Sequence, residues 1–393
     1  MKNTVCIMTA TRAEWGLLRP VAERIRMKEG LELVLAVTGT HFLAEYGNTY
    51  EDILSDGFAI DERVDIQLYP QSPAAVSKTM ALALLGFADL FARRRIDLLI
   101  VLGDRYETLA VCMAAMSARV PIAHLHGGET TEGAMDEGIR HAVTKLASLH
   151  FTSNESHRRR VIQMGERPER VFNTGAPGID NILSMELLSR DRLSEALGFD
   201  LAGPYGVVAF HPATLEGDAE AQCEAVFDAL SAFPDLRFII TKSNADEGGN
   251  AINALIDRYA AKRENVLAAA SLGSLKYLSA LKHAAVMVGN SSSGIIEAPY
   301  FNVPVVNVGD RQKGRMQAEG TLNCPTETQA IAAAMQRALA PGFREGLCNK
   351  NLYGDGNAAK RIADIVDGQL RAGPVGLRKS LYDIEFTPEP DQA

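Results

Sequence analysis

Cysteine is scarce in this chain: five residues, at 6, 112, 223, 324 and 348, an odd number with no Cys-x-x-Cys pair. A disulfide framework and a thiolate metal site are thereby both disfavoured, and a reducing, cytoplasmic setting is expected. Positive charge is short as well. Forty Lys and Arg face 49 Asp and Glu, a net charge of −9, so no global basic field is present to hold a nucleic-acid backbone. Long uncharged apolar runs are missing too. Val5-Cys6-Ile7-Met8 is broken by Arg12 and Glu14, too short for a signal-peptide core, and Met80–Ala92 contains Asp89 and runs into Arg93-Arg94-Arg95. No membrane partner is expected. The first strand-to-helix connection lacks Gly-x-Gly-x-x-Gly, which counts against a nicotinamide or flavin domain, and no Gly-Lys-Ser/Thr marks a Walker A loop.

What remains is a long, balanced chain. Its 393 residues, 47% apolar and 23% charged, are those of a globular protein with two or three cores, at roughly 100–200 residues per domain. Short Val/Ile/Leu runs alternate with stretches of helical period. The runs Thr4–Met8, Leu33–Val37, Asp97–Leu102, Pro121–Leu125, His150–Thr152, Val207–Phe210, Arg237–Thr241, Val286–Val288 and Val303–Val308 read as strands buried on both faces. Helices are expected at Leu17–Met27, Val76–Arg93, Thr108–Ser117, Ala219–Phe233, Ala251–Lys262 and Thr328–Leu339. Such alternation builds parallel sheets from right-handed βαβ units. The series occurs twice, so the expected fold is α/β: two Rossmann-like, doubly wound domains facing a central cleft. Their expected bounds are residues 1–185 and 204–370, with a charged, turn-rich linker at 186–203 and a loosely packed tail at 371–393.

In such sheets ligands bind beyond the carboxyl ends of the strands, and the chemistry-bearing residues cluster there. Arg12 follows the first strand. Gly103-Asp104-Arg105-Tyr106-Glu107 follows five apolar residues, and His126-Gly127-Gly128-Glu129 follows the next strand, with Asp136 downstream. Several carboxylates at one edge suit proton abstraction and leaving-group protonation. His124 and His126, with Glu129 and Asp136, also have metal-ligand spacing, but the nearby Arg140 argues against a divalent ion. In the second half His211 and Lys242-Ser243-Asn244 end strands. Gly289-Asn290-Ser291-Ser292-Ser293-Gly294 then offers small residues and hydroxyls to an anion, with Glu297 placed to accept from ribose hydroxyls and Arg311, Lys313 and Arg315 to compensate a diphosphate. Two features are set aside: Gly354–Ala359, a Gly-x-Gly-x-x-Ala with no strand before it, and Arg158-Arg159-Arg160, read as a solvated helix face.

The chain resembles the hydrolysing UDP-N-acetylglucosamine 2-epimerases of the sialic- and legionaminic-acid branch. The likeness rests on Thr11–Glu14, Gly103–Glu107, His126–Glu129, Ile139-Arg140-His141, His211-Pro212, Gly289–Gly294 and Gly309–Arg315 in that order. It implies a glycosyltransferase-B fold, no cofactor and no metal, and a dimer or tetramer, for which the apolar helix around Met80–Phe91 is a candidate face. The implied reaction converts UDP-N-acetylglucosamine and water to N-acetylmannosamine and UDP through a 2-acetamidoglucal. By matching positions the resemblance makes Asp104 and Asp136 the catalytic carboxylates and puts His211 at the reacting sugar. Arg12, Arg105, Asn244, Ser291, Ser292, Glu297 and Arg311 then hold nucleotide or sugar, with Ser293 in the same cradle. Another branch carries a catalytic Glu where His126 stands, so that role passes to His126, to Glu129, or to no group. The alternatives are the same reaction on UDP-N,N'-diacetylbacillosamine, a UDP-sugar transferase, and a silent UDP-sugar-binding module.

Overall fold

The structure is a computed structural model, described for residues 2–66, 72–131, 134–211, 219–243, 249–348 and 352–385. Seven strands form the first sheet: β1 (Asn3–Thr9), β2 (Leu31–Val37), β3 (Glu62–Arg63), β4 (Leu98–Leu102), β5 (Ile122–Leu125), β6 (Leu149–Thr152) and β7 (Val171–Asn173). Their spatial order is β3-β2-β1-β4-β5-β6-β7, with every pair parallel. The second sheet holds β8 (Tyr205–Ala209), β9 (Arg237–Thr241), β10 (Val266–Ala269), β11 (Val286–Gly289), β12 (Val305–Val308) and β13 (Thr321–Cys324) in the order β10-β9-β8-β11-β12-β13, again parallel. All nine apolar runs are strands. Four further strands, β3, β7, β10 and β13, are the edge elements of the two sheets; β3, β7 and β13 are short or carry polar residues, and the apolar Val266–Ala269 of β10 is not among the expected runs.

The crossovers are helical: α1 (Arg12–Arg26), α2 (Tyr50–Ser55), α3 (Pro73–Arg93), α4 (Tyr106–Ser117), α5 (Asp136–Leu146), α6 (Glu155–Gln163) and α7 (Pro177–Ser184) belong to the first half. The rest are α8 (Arg190–Leu197), α9 (Ala219–Ser231), α10 (Gly249–Ala260), α11 (Gly273–His283), α12 (Ser292–Ile296), α13 (Thr328–Ala338) and α14 (Ala358–Ala372). Helix α1 begins earlier than the apolar period suggests and runs through Pro20. Proline leaves the carbonyl four residues back without its helical donor, and the Asn181 side-chain amide donates to that carbonyl, Gly16 O. Helix α3 is apolar and long enough to cross a membrane by length and composition. One of its faces, with Ala83, Phe87 and Leu90, is buried against the first sheet.

Two expected boundaries shift. Residues 186–203 contain α8, whose Leu193 joins Leu201 and Tyr205 in a core under the second sheet. Helix α14, expected within 204–370, returns to the first domain: Ala359, Ile362, Ala363 and Val366 are buried with Val5, Ile7 and Leu18. The spacing of these apolar residues is a local property of the sequence, but the sheet they cover is a tertiary matter. Asp180 of α7 fixes the return by accepting from Ala358 N (3.0 Å) and Ala359 N (2.7 Å) at the start of α14. The tail does not fray at once. Lys379 Nζ donates to Ala147 O (2.6 Å), and Tyr382 N donates to Gly165 O (2.9 Å).

Candidate active site

Each sheet reverses its strand order once, between β1 and β4 and between β8 and β11. A crevice opens at such a point because neighbouring connections leave in opposite directions. The loop after β1 is held by a capping box. Thr11 Oγ1 accepts from Glu14 N (3.3 Å), while Glu14 Oε2 accepts from Ala10 N (2.6 Å) and Thr11 N (3.1 Å). Arg12 is therefore the first residue of α1 rather than part of a loop. Its guanidinium donates to Lys242 O (3.1 Å) after β9, joining the two halves. His41, which no motif singled out, bridges Thr9 and Thr49 at 2.9 and 2.8 Å, and burial lowers it to about 3, so it is neutral.

After β4, Gly103 turns the chain at φ +76°. Arg105, not Asp104, occupies the N-cap position of α4, and its guanidinium binds Glu107 at 3.1 and 3.2 Å. Asp104 is freed from capping and receives Arg140 Nε at 3.0 Å. Arg140 is 1% exposed, a rare state for a cation unless it is paired. Its fork also meets Glu137, Thr131 Oγ1 and Glu129 O (2.8 Å). Burial raises the Asp104 carboxyl, yet Arg140, helped by Arg315, holds it below its ordinary value, so Asp104 is ionised at neutral pH. Asp136 opens α5 one turn before Arg140, and residues four apart share a helix face.

β5 leads into His126, a non-glycine residue at φ +67°. Gly128 must be glycine, because a Cβ there would lie 2.4 Å from His157 O. Arg160 donates to Gly128 O, and Arg158 Nε donates to Val171 O (2.9 Å). Of the arginine run, then, only Arg159 behaves as a solvated face. Glu129 is buried and heavily engaged: His126 Nδ1 lies 2.9 Å from Oε1, Ser153 Oγ donates to Oε1 (2.8 Å), and Arg315 from beyond β12 lies 3.1 Å from Oε2. Burial opposes ionisation of this carboxyl, but Arg315 and His126 carry it well below the ordinary range. Thr130 Oγ1 donates to Lys313 O (3.0 Å), and Arg315 Nε returns a bond to Thr130 O (2.7 Å). Arg315 thus serves the first domain's carboxylate, not the anion cradle. His124 is spent structurally, between Gly103 O (2.8 Å) and Thr144 Oγ1 (3.2 Å). Among the described residues no group of three His, Cys, Asp or Glu is arranged to hold a metal ion.

At the second crevice Asn290 clasps His211 through both backbone groups, at 2.8 Å each. Arg311 Nη1 and Gln312 Nε2 donate to Asn290 O at 3.0 and 2.7 Å, and Ser243 Oγ lies 3.2 Å from His211 Nδ1. Gly289 allows the turn: at φ +133°, a Cβ would fall 2.1 Å from Ala209 O. Ser291 caps α12, accepting from Ser293 N. Tyr277 OH donates to Ser293 Oγ (2.6 Å), which donates to Glu297 Oε2 (2.5 Å). Burial lifts Glu297 to about 7. Ser292 is the first residue of α12. Asn244 lies outside the described residues, as do Glu132 and Gly133.

The description "UDP-N-acetylglucosamine 2-epimerase" belongs to the protein family whose profile matches residues 23–367. The chain belongs to that family. Among similar proteins, the GDP/UDP-N,N'-diacetylbacillosamine 2-epimerase (hydrolyzing) of Campylobacter jejuni is 37% identical over 88% of this chain and 89% of its own. The polysialic acid biosynthesis protein P7 of Escherichia coli is 39% identical, covering 97% of both chains. A crystal structure of UDP-GlcNAc 2-epimerase from Neisseria meningitidis bound to UDP-GlcNAc superposes with a TM-score of 0.78 at 18% identity, covering 93% of this chain and 99% of that one. The fold is accordingly of the glycosyltransferase-B type seen in these epimerases. Within this family member the first crevice gathers Asp104, His126 and Glu129 around Arg140 and Arg315, and the second gathers His211, Ser291 and Arg311 around Asn290. Sequence motifs undervalued Arg140 and Arg315. Arg140 stands in the Ile139-Arg140-His141 motif and Arg315 among the cations expected to compensate a diphosphate, but nothing local to either names its carboxylate partner.

Proposed function

We propose that this protein is a hydrolysing 2-epimerase of a UDP-2-acetamido sugar, converting UDP-N-acetylglucosamine and water to N-acetylmannosamine and UDP. The observation that carries the reading is the joining of the two crevices. An ionised carboxylate cluster beyond the first sheet binds Arg315, which comes from the loop after β12; the same loop carries Arg311, which donates to Asn290 O in the segment of small residues and hydroxyls. Abstraction of the sugar C2 proton is demanding, since that proton is weakly acidic. Concerted departure of UDP from C1 shares the cost, and Arg311 with the Ser291–Ser293 loop stabilises the charge that grows on the diphosphate. In this reading Glu297 accepts from ribose hydroxyls. Asp104, Asp136 and His126 surround the sugar, so proton removal from one face and return to the other use different groups. Water adds at C1 of the glycal intermediate to complete the hydrolysis.

A second substrate has specific support. The Campylobacter relative is named for N,N'-diacetylbacillosamine, whereas the Escherichia relative is named for polysialic acid synthesis. The same reaction on UDP-N,N'-diacetylbacillosamine is therefore carried beside the first. One experiment tests both: incubation with each UDP-sugar in heavy water, following UDP release and deuterium at C2. Release with C2 deuterium identifies the substrate. UDP binding without release or exchange from either sugar would overturn the epimerase reading in favour of a binding module, and release only on adding an acceptor would favour a transferase. A cytoplasmic homo-oligomer remains the proposed setting.

A further inference from the structure

The most unusual group outside the expected roles is Glu129. Its carboxylate reaches three partners on three elements: His126 Nδ1 in its own loop, Ser153 after β6, and Arg315 from the other domain. A carboxylate so engaged is poorly placed to move a proton itself. It is well placed to decide where a proton sits on its neighbour. With Oε1 at 2.9 Å from His126 Nδ1, a hydrogen bond between them requires the ring proton on Nδ1 when the imidazole is neutral. His126 Nε2 is buried and has no hydrogen-bond partner among the described residues. The backbone carries the cost of this orientation, since a non-glycine residue at φ +67° is disfavoured unless its surroundings hold it there.

Arg315 is the only one of these partners that comes from the second domain. Its fork spans Glu129 Oε2, Thr130 O and Thr131 Oγ1, and its side chain is 6% exposed. We propose that Arg315 is a positioning residue that acts through Glu129. Across the contact between the two domains, Arg315 fixes the Glu129 carboxylate on His126 Nδ1–H, so that the imidazole presents a bare Nε2. The charged and titratable groups facing Glu129 are His126, His157 across Ser153 Oγ (2.8 Å), Arg315, Arg140 through Glu129 O, Asp104 and Tyr353. His157 is lowered by burial to about 4 and stays neutral. The cationic partner supplied by the second domain is therefore Arg315. This inference rests on the epimerase reading for its catalytic consequence, but not for its structural content.

The test is nitrogen NMR of the whole protein labelled at histidine, with the His126 ring signal assigned by its loss in His126→Gln. With saturating UDP, wild type is expected to show a single Nδ1–H tautomer at His126. Arg315→Gln is expected to give a mixture of tautomers and, with a UDP-sugar substrate, to lower kcat by roughly 10- to 100-fold, as loss of orientation does. UDP affinity should change by less than about threefold, since Arg315 binds protein groups. Arg315→Lys, which keeps the charge without the fork, should restore part of kcat and so separate positioning from misfolding. An unaltered tautomer in Arg315→Gln, or equal losses in Arg315→Gln and Arg315→Lys with UDP affinity gone in both, would overturn the proposal. Failure of the epimerase reading looks different: no sugar releases UDP, while the tautomer still responds to Arg315.

Discussion

The two crevices occupy equivalent points of nearly equivalent sheets, yet they are built from opposite materials. The first is charged. Asp104, Glu137, Glu129, Arg140 and Arg315 satisfy one another at low exposure, and Asp104 and Glu129 are held ionised there by their arginines. The second is largely neutral. Asn290, Ser291, Ser293 and Tyr277 meet one another through amides and hydroxyls, and their nearest carboxyl, Glu297, is pushed toward its protonated form by burial. The lesson is that topology fixes where a ligand can sit, while side-chain partners fix what it can undergo. A charged crevice suits proton transfer at carbon. A largely neutral one bordered by cations such as Arg311 suits holding and releasing an anion.

The contrast can be broken most severely at Arg140. Removing the buried member of an ion pair leaves its partners uncompensated, so Arg140→Ala should cost about 3 kcal/mol of stability by urea unfolding; a loss under ~1 kcal/mol would show the cluster to be surface-like. Next comes Asp104→Asn, expected to lower kcat at least ~10²-fold with little change in UDP affinity. Full activity would take Asp104 out of the proton-transfer side of the contrast. Arg311→Ala should weaken UDP itself by roughly tenfold in calorimetry, the scale of one charge-assisted hydrogen bond, while leaving stability nearly intact. Unaltered UDP affinity would reject the second crevice as the anion site.

The smallest effect is a pH dependence. Glu297 sits at about 7 against a usual 4.5 because of burial. Between those values the folded protein binds the proton more tightly than the unfolded chain. The stabilisation is thus full below about 4.5 and is lost as pH rises through 7. Glu297→Gln should flatten the decline in unfolding free energy between pH 5 and pH 8 by on the order of 1 kcal/mol. An identical slope in variant and wild type would show that the carboxyl is ordinary.

Much of the architecture was legible because buried parallel strands are written as unbroken apolar runs. Nine such runs are strands, and their carboxyl ends carry the motifs at both crevices. Two of the edge strands escaped for a related reason: β3 is two residues long, and β13 buries none of its side chains fully. Arg158 and Arg160 depart from the expected solvated face, which Arg159 keeps, because an arginine on a helix looks the same whether it faces water or a carbonyl across a loop.

Local sequence alone determined the period of each element, the glycines at 103, 128 and 289 that turn the chain sharply, and the candidate groups placed after the strands. Those properties depend on neighbours within a few residues. Only the tertiary structure decided that α14 returns to cover the first sheet, that Arg140 closes on Asp104, and that Arg315 crosses to Glu129. Each of those pairings joins residues 36 to more than 180 positions apart. Burying these groups is costly, and each pairing is stable only because its partner meets it where water is excluded, a condition that a local stretch of chain does not encode.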